Sequence, residues 1–530
     1  MPTLEWIGKD KVINHHQKVP YRVLERRYSY DEAGQHAEDN GSENMIIHGD
    51  NLEALKALLP RYEGKVKCIY IDPPYNTGNE GWVYNDNVND PKIKKWLGEV
   101  VGKEGEDLSR HDKWLCMMYP RLKLLQKLLA EDGVVFISID DREQVSLRMI
   151  CNEIFGEHNF LAQFIWQKRT SPDMRKLVST AHEYICAYSK NIAFLTSAIN
   201  KVALSEEDAA NYKNPDNDPR GPWASSDFTA QGYRPNQMYE IVTPGGARYT
   251  PPEGRCWKNI ESEFIKQRDD GRIWFGADGM GIPRRKTYLS EREGKNVWTW
   301  WDNKSVGHTQ EATKEISKIF STPTAFDYPK PVRLVQRIIQ IATSKDSIIL
   351  DSFAGSGTTA HAVLNMNKAD GGNRKFILVE MMDYADSITA ERVRRVIRGY
   401  GEGKNAVDGT GGSFSYYELG PVLLLPDGNL NEEVGPQKIR EYVYYMETKE
   451  PLPAEQPKDE PYFMGLCRNT AYYFYYERES VTTLDHAFLA TIQTKAEGYT
   501  IYADLCAIPQ ETLRKHNITF KKIPRDIARL

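Results

Sequence analysis

The chain has 530 residues, enough for roughly two to four domains with cores of their own. Its 69 Lys and Arg against 74 Asp and Glu leave a net charge of −5, which excludes a basic nucleic-acid coat protein and confines any DNA contact to local patches. The seven cysteines are scattered without a C-x-x-C, which argues against a disulfide framework or structural zinc, and no apolar run approaches the length that crosses a membrane.

Residues 1–44 read as an arm of mixed composition with a polar end at 31–43. Asn44-Met45-Ile46-Ile47-His48-Gly49-Asp50 reads as a strand running into a helix over 52–59, with Asp50 at an N-cap position. Val66-Lys67-Cys68-Ile69-Tyr70-Ile71 is an apolar, β-branched run of the kind buried in a parallel sheet. Asp72-Pro73-Pro74-Tyr75 must end it, because neither proline can donate to the ladder and each fixes its own φ. A carboxylate, a free carbonyl and an aromatic ring are thereby forced together at the carboxyl end of a strand, the edge where open α/β sheets bind ligands. A planar base with an exocyclic amine fits there: Asp72 and the Pro73 carbonyl accept its two N–H hydrogens, and Tyr75 stacks on its face. On these four residues alone, a Pro-Pro turn capped by Asp72 fits equally well. Residues 76–90, rich in Gly and Asn, read as a mobile loop closing over the base.

The spacing of Trp114, Leu115, Met118, Leu122, Leu125 and Leu129 predicts a core helix over 112–129, kinked at Pro120. A parallel strand follows over 133–140. Segments 161–167 and 183–188 read as two strands flanking a basic loop that runs from Lys168 and Arg169 to Lys176. From about 191 to 320 Pro, Gly, Trp and Tyr become frequent, and Arg284-Arg285-Lys286 lies near Arg272, Trp274 and Phe275. Interleaved cations and aromatics suit phosphate contact and base stacking; a small β-rich domain with core tryptophans is the alternative.

Lys330-Pro331 opens a helix over 332–342. Ser347-Ile348-Ile349-Leu350-Asp351 is a short strand leading into Phe353-Ala354-Gly355-Ser356-Gly357-Thr358-Thr359-Ala360 and a helix over 361–367. A strand, a glycine turn and a helix N-terminus make a site for an anionic group. The same glycines fit a dinucleotide fingerprint, with Glu380 ending the next strand, whereas no Lys follows Gly357 as a phosphate-binding P-loop would require. The residue types predict a ribose-bearing ligand whose hydroxyls donate to Glu380. The helix over 391–400, with Arg392, Arg394, Arg395 and Arg398, reads as a solvated face, with DNA contact as the alternative. Beyond about 420, an acidic, proline-containing segment at 447–461 and strand-like stretches at 470–476, 499–507 and 519–523 read as a small α/β module for dimerisation or docking.

Together, Asp-Pro-Pro-Tyr-Asn-Thr-Gly at 72–78 and Phe-Ala-Gly-Ser-Gly-Thr-Thr at 353–359 resemble the DNA amino-methyltransferases that use S-adenosylmethionine. The motif order is similar to that of their permuted β class. The chain as a whole most resembles modification subunits of type III restriction systems and their solitary relatives, best over residues 40–420. The resemblance implies an α/β fold, a Rossmann-like methyltransferase sheet with helices on both faces. It implies an arm (1–44), two catalytic halves (45–190 and 321–419), a target-recognition domain inserted at 191–320, and a small C-terminal α/β domain (420–530). Asp72, Pro73, Pro74 and Tyr75 would be catalytic. The cofactor would meet Asp50 at its adenine amine and Lys330 at its carboxylate, with Asp351, Phe353, Gly355, Gly357, Thr358, Thr359 and Glu380 around it. Trp166 and Lys168 would wall the target-base pocket, with Arg169, Arg284, Arg285 and Lys286 on DNA and no metal needed. Trp166 remains open as a core aromatic, Asp50 as a cap and Lys330 as a solvated helix-start lysine.

The implied reaction is methylation of adenine N6 in a base flipped out of double-stranded DNA. Asp at the first motif position favours adenine, and cytosine N4 stays open. A homodimer, a restriction helicase–nuclease partner and a cytoplasmic location go with the resemblance. Two rival classes are a nicotinamide oxidoreductase, which leaves Asp72-Pro73-Pro74-Tyr75 unexplained, and a catalytically silent DNA-binding subunit, against which both motifs stand intact.

Overall fold

The structure is a computed structural model that describes residues 3–76, 110–194, 198–322 and 325–525; the loop expected at 76–90 lies, apart from Asn76, outside the described residues. It divides into two compact units, one of residues 1–200 with 298–530 and the other of residues 201–297.

The larger unit is built on a mixed sheet of eleven strands among the described residues. In chain order these are β1 (Arg22–Asp31), β2 (Gly34–His36), β3 (Met45–His48), β4 (Val66–Ile71), β5 (Leu129–Ile139), β6 (Phe160–Gln167), β7 (His182–Ser189), β8 (Trp300–Trp301), β9 (Ile348–Asp351), β10 (Lys375–Glu380) and β11 (Phe414–Val422). Their spatial order is β8-β6-β7-β5-β4-β9-β10-β3-β11-β1-β2. The run from β5 to β11 is parallel, and β7 and β1 enter antiparallel on either side. Val66, Cys68, Ile69, Tyr70 and Ile71 are all buried, as a strand covered on both faces requires.

Helices pack in two groups. One contains α1 (Asn51–Tyr62) and α2 (Arg110–Leu128), and the other contains α3 (Val332–Ala342), α4 (Thr358–Asp370) and α5 (Glu391–Arg398). Helix α2 runs as one element through Pro120, and α3 matches the span expected for it.

One pairing positions the site. β4 lies parallel to β9, with Cys68 opposite Ile349 and Ile69 opposite Leu350. From β4 the chain steps outward to β5, and from β9 it steps the other way to β10. The gap between β4 and β9 is therefore the point where strand order reverses, the crevice in which such sheets hold ligands.

Three boundaries differ from expectation. The arm is an edge of the sheet: β1 pairs with β11 from Arg22 opposite Val422 to Tyr30 opposite Phe414, and Tyr28 stacks on Tyr416 at 5.0 Å. Arg26 and Arg27 on that strand disguised its period. The compact inserted unit spans 201–297 and not 191–320, because Trp300–Trp301 pairs with Ile165 and Trp166 of β6. The inserted unit has its own core of Phe228, Ile241, Trp257, Phe264, Ile273 and Phe275. Residues beyond 420 carry a four-stranded sheet, but they fall within the larger unit, joined through Arg61–Glu441 at 2.9 Å and Tyr445–Glu63.

Candidate active site

Asp72 leaves the end of β4 with its side chain buried, 8% exposed. The turn after it is pinned from below, where Trp114 Nε1 of α2 donates to the Pro74 carbonyl at 2.7 Å. The Tyr75 hydroxyl donates to Asp72 Oδ1 at 2.7 Å and lies 3.2 Å from Glu183 Oε2. Lys330 Nζ donates to Asp72 Oδ2 at 2.6 Å, sits 3.8 Å from Glu183 and lies 5.0 Å from the Tyr75 ring centre. Lys168 Nζ completes the cluster at 2.7 Å from Glu183 Oε1.

Two buried carboxylates thus share two ammonium groups and a phenol. Burial raises the Asp72 carboxyl above its ordinary value, with Lys330 holding part of the rise back. Burial also pushes on Glu183, but Lys330 and Lys168 outweigh it and keep that carboxyl low. Burial first, and the two carboxylates second, hold the Tyr75 hydroxyl well above its usual range, so it stays a donor. Lys330 occupies Asp72 as a nitrogen donor would; a substrate amine would compete for that oxygen.

On the neighbouring strand, Asp351 folds back onto its own turn. Its Oδ1 accepts from the Phe353 N–H at 3.0 Å and its Oδ2 from the Thr359 hydroxyl at 2.6 Å. Glu380 braces the same turn, Oε2 accepting from Gly355 N–H at 2.8 Å and Oε1 from Met382 N–H at 3.0 Å. Gly357 caps α4 at φ 80°, where an added Cβ would stand 3.0 Å from the Thr389 carbonyl, so only glycine fits without strain. Arg392 of α5 lies fully buried beneath the turn and donates to the Ser356 and Thr358 hydroxyls, both at 2.8 Å, and to His361 Nδ1 at 3.2 Å. Burial lowers Arg392 to about 10 and holds His361 neutral, leaving Nδ1 as acceptor. The arginine helix is therefore not a solvated face at Arg392, which supports the glycine turn from inside.

Asp50 caps α1, accepting from Leu52 N–H at 2.9 Å and Glu53 N–H at 3.2 Å, with Arg121 at 3.3 Å from its other oxygen. It lies at the same carboxyl edge, at the end of β3, and its side chain remains 31% exposed. A glycine turn at a helix start, flanked by carboxylate acceptors at Glu380 and Asp50, fits a nucleoside-bearing cofactor with an anionic end. The cleft above it runs from Asp72 past Lys330 to Phe353 and Thr358. A second cavity of about 360 Å³, lined by Trp166, Lys168, Glu183 and Lys330 among others, opens on the other side of Lys330. The two share Tyr328, Pro329 and Lys330 as a common wall, and the Asp72 turn and the glycine turn both line the first of them.

The remaining expected residues separate. Trp166 is buried and its Nε1 donates to the Gly307 carbonyl at 2.9 Å, so it is both core and cavity wall. Arg169 is exposed at the cavity rim. In the inserted unit Arg284 and Arg285 are exposed, but Lys286 corrects the expectation of a DNA contact: it is buried, ion-paired with Asp216 and with Asp218 at 2.9 Å. Lys286→Met should therefore destabilise that unit by about 2–3 kcal/mol in chemical unfolding, because Asp216 and Asp218 lose their shared ammonium while Trp223, Arg220 and Tyr288 still donate to them, with DNA affinity per folded molecule unchanged.

Glu183, Trp114 and Arg392 were missed, because nothing near them in sequence marks the pocket or turn they reach. Burial, opposed by the Thr359 and Phe353 hydrogen bonds, pushes Asp351 up to about 7 from 3.8. The folded state thus holds this proton more tightly than the unfolded chain, and the associated stability is complete below 3.8 and lost as pH rises through about 7. Asp351→Asn removes that dependence. Between pH 5 and pH 8 its unfolding free energy should gain about 2–3 kcal/mol relative to the parent, measured by denaturant titration at each pH.

A family described as DNA methylase matches residues 66–391, a span that holds both turns. The chain is 38% identical over 397 residues to the type III restriction-modification enzyme StyLTI Mod subunit of Salmonella typhimurium, covering 68% of this chain and 58% of that one. It is 33% identical over 426 residues to the EcoPI Mod subunit of Escherichia phage P1, covering 71% and 63%, and 30% identical over 446 residues to the EcoP15I Mod subunit of Escherichia coli, covering 75% and 66%. It spans 58 to 66% of the length of these relatives. No helix among the described residues is long and apolar enough to cross a membrane. With that match across both turns and that identity to the Mod subunits, the chain belongs to the DNA methylase family.

Proposed function

We propose that this chain methylates adenine N6 in a base flipped out of double-stranded DNA, with S-adenosylmethionine as donor, as the modification subunit of a type III restriction system or a solitary relative. The meeting of the Asp72 turn and the glycine turn in one cleft carries the reading. When bound, S-adenosylmethionine supplies an electrophilic methyl group on a sulfonium sulfur.

The rest falls to the chain. The amine lone pair of adenine is delocalised into its ring. Asp72 and the Pro73 carbonyl accept the two amine hydrogens, draw them from the ring plane and localise that pair. The interaction strengthens as the nitrogen becomes positive, so it favours the transition state over the bound substrate. Lys330 must release Asp72 as the amine arrives, and Glu183, 3.8 Å away, is placed to receive the ammonium. Tyr75 fixes the other Asp72 oxygen. After transfer the surplus amine proton passes to Asp72, whose burial-raised basicity suits an acceptor. Flipping is needed because the geometry is inaccessible within a stacked pair.

Methylation-aware sequencing of DNA from cells expressing the chain tests the reading, with N6-methyladenine at one sequence context the expected result. N4-methylcytosine would overturn the choice of base, and no modified base would overturn the reaction. In thermal unfolding, S-adenosylmethionine and not NAD should raise the melting temperature. A homodimer and a helicase–nuclease partner belong to the same proposal and are checked by light scattering and co-purification.

A further inference from the structure

The basic loop between β6 and β7, residues 168–181, forms part of the rim of the 360 Å³ cavity through Thr170, Pro172 and Arg175. Past the rim it carries three apolar side chains in open solvent: Met174 at 90% exposure, Leu177 at 107% and Val178 at 86%. They are more exposed than every other large apolar side chain among the described residues. Leaving a Leu and a Val wholly in water forgoes the burial that stabilises such residues elsewhere, so an adjacent trio marks a contact surface.

The tip is also held in shape. Asp173 N–H donates to Ser179 Oγ at 2.8 Å, Lys176 N–H to the Asp173 carbonyl at 3.0 Å, and the Arg175 guanidinium grips the Asp173 carboxylate at 2.9 and 3.0 Å. With Lys168 held by Glu183, Arg169, Arg175 and Lys176 bring three positive charges to this loop against the one carboxylate of Asp173. That excess complements a polyanion, and the tip stands beside a cavity of a size for one nucleotide. Apolar side chains set among cations are what partly unstacks and props open a duplex step.

We propose that Leu177 and Val178 form a wedge that enters the DNA stack where the target base leaves it, while Arg169, Arg175 and Lys176 rest on the flanking phosphates. The inference rests on the methyltransferase reading and deepens it by naming the element that fills the vacated space. Extraction of a paired base costs unstacking and unpairing, and the cost is least where the base is already unpaired. The wedge acts on that step and not on methyl transfer.

The test compares the parent chain with Leu177→Ser/Val178→Ser on two duplexes that carry the site fixed by the sequencing above. One is fully paired, and the other has an abasic site opposite the target adenine. Single-turnover methylation of the paired duplex should fall about tenfold in the double variant, and the abasic duplex should be methylated within about twofold of the parent rate. Equal loss on both duplexes, or no loss on either, would overturn the wedge. So would a change in mass by light scattering, which would make the tip a seat for a second copy of the chain. Absence of methylation by the parent on both duplexes would sink the methyltransferase reading and the wedge with it, an outcome distinct from equal loss.

Discussion

Asp72→Ala should slow methyl transfer by about 10²- to 10³-fold, the effect of deleting one preorganised group that meets charge in the transition state. The substitution removes the carboxylate 2.6 Å from Lys330, but Glu183 at 3.8 Å stays to compensate the ammonium. The variant should therefore fold, lose about 1–3 kcal/mol of stability, and keep its melting shift with S-adenosylmethionine. Asp72→Asn keeps one acceptor oxygen and should fall between the two. Single-turnover transfer separates chemistry from binding, and a rate for Asp72→Ala equal to that of the parent would remove Asp72 from the reaction.

Arg392→Met should be the most damaging change away from the substrate. The guanidinium is the shared partner of the Ser356 and Thr358 hydroxyls and of His361, all buried. A methionine fills part of its volume and satisfies none of them, at a cost of about 3–5 kcal/mol. The loss is local to the glycine turn, so affinity for S-adenosylmethionine should also fall, by about tenfold or more for each 1.4 kcal/mol of lost turn order. Denaturant unfolding and calorimetric titration read the two effects. Parent-like values for both would show that Arg392 merely fills space.

Much of this was legible because it is local. The Val66–Ile71 strand, the Val332–Ala342 helix and the strand ending at Glu380 follow from runs of apolar residues and the breakers beside them. The Asp72 and Gly357 turns are set by proline and glycine chemistry and stand where their residue types put them. What was not legible is pairing at long range. Lys330 meets Asp72 across 258 positions, and Glu183 reaches Tyr75 across 108. Lys286 looked like one of three surface cations until Asp216 and Asp218 closed on it. A charged triplet reads the same in sequence whether its members face water or a buried carboxylate. The strand Arg22–Asp31 hid because its burial does not alternate: Tyr28, Ser29 and Tyr30 are buried in succession, just past an irregularity in register after Arg26.

The adjacency of β4 and β9 has a bearing on biosynthesis. Ile69 waits for Leu350, so one flank of a largely apolar ribbon emerges from the ribosome roughly 280 residues before its neighbour exists. At translation speeds of about 5–20 residues per second that interval is on the order of a quarter of a minute to a minute. Residues 201–297, with their own core, emerge and can collapse in the meantime, while the older half stands open to chaperones or to misassembly.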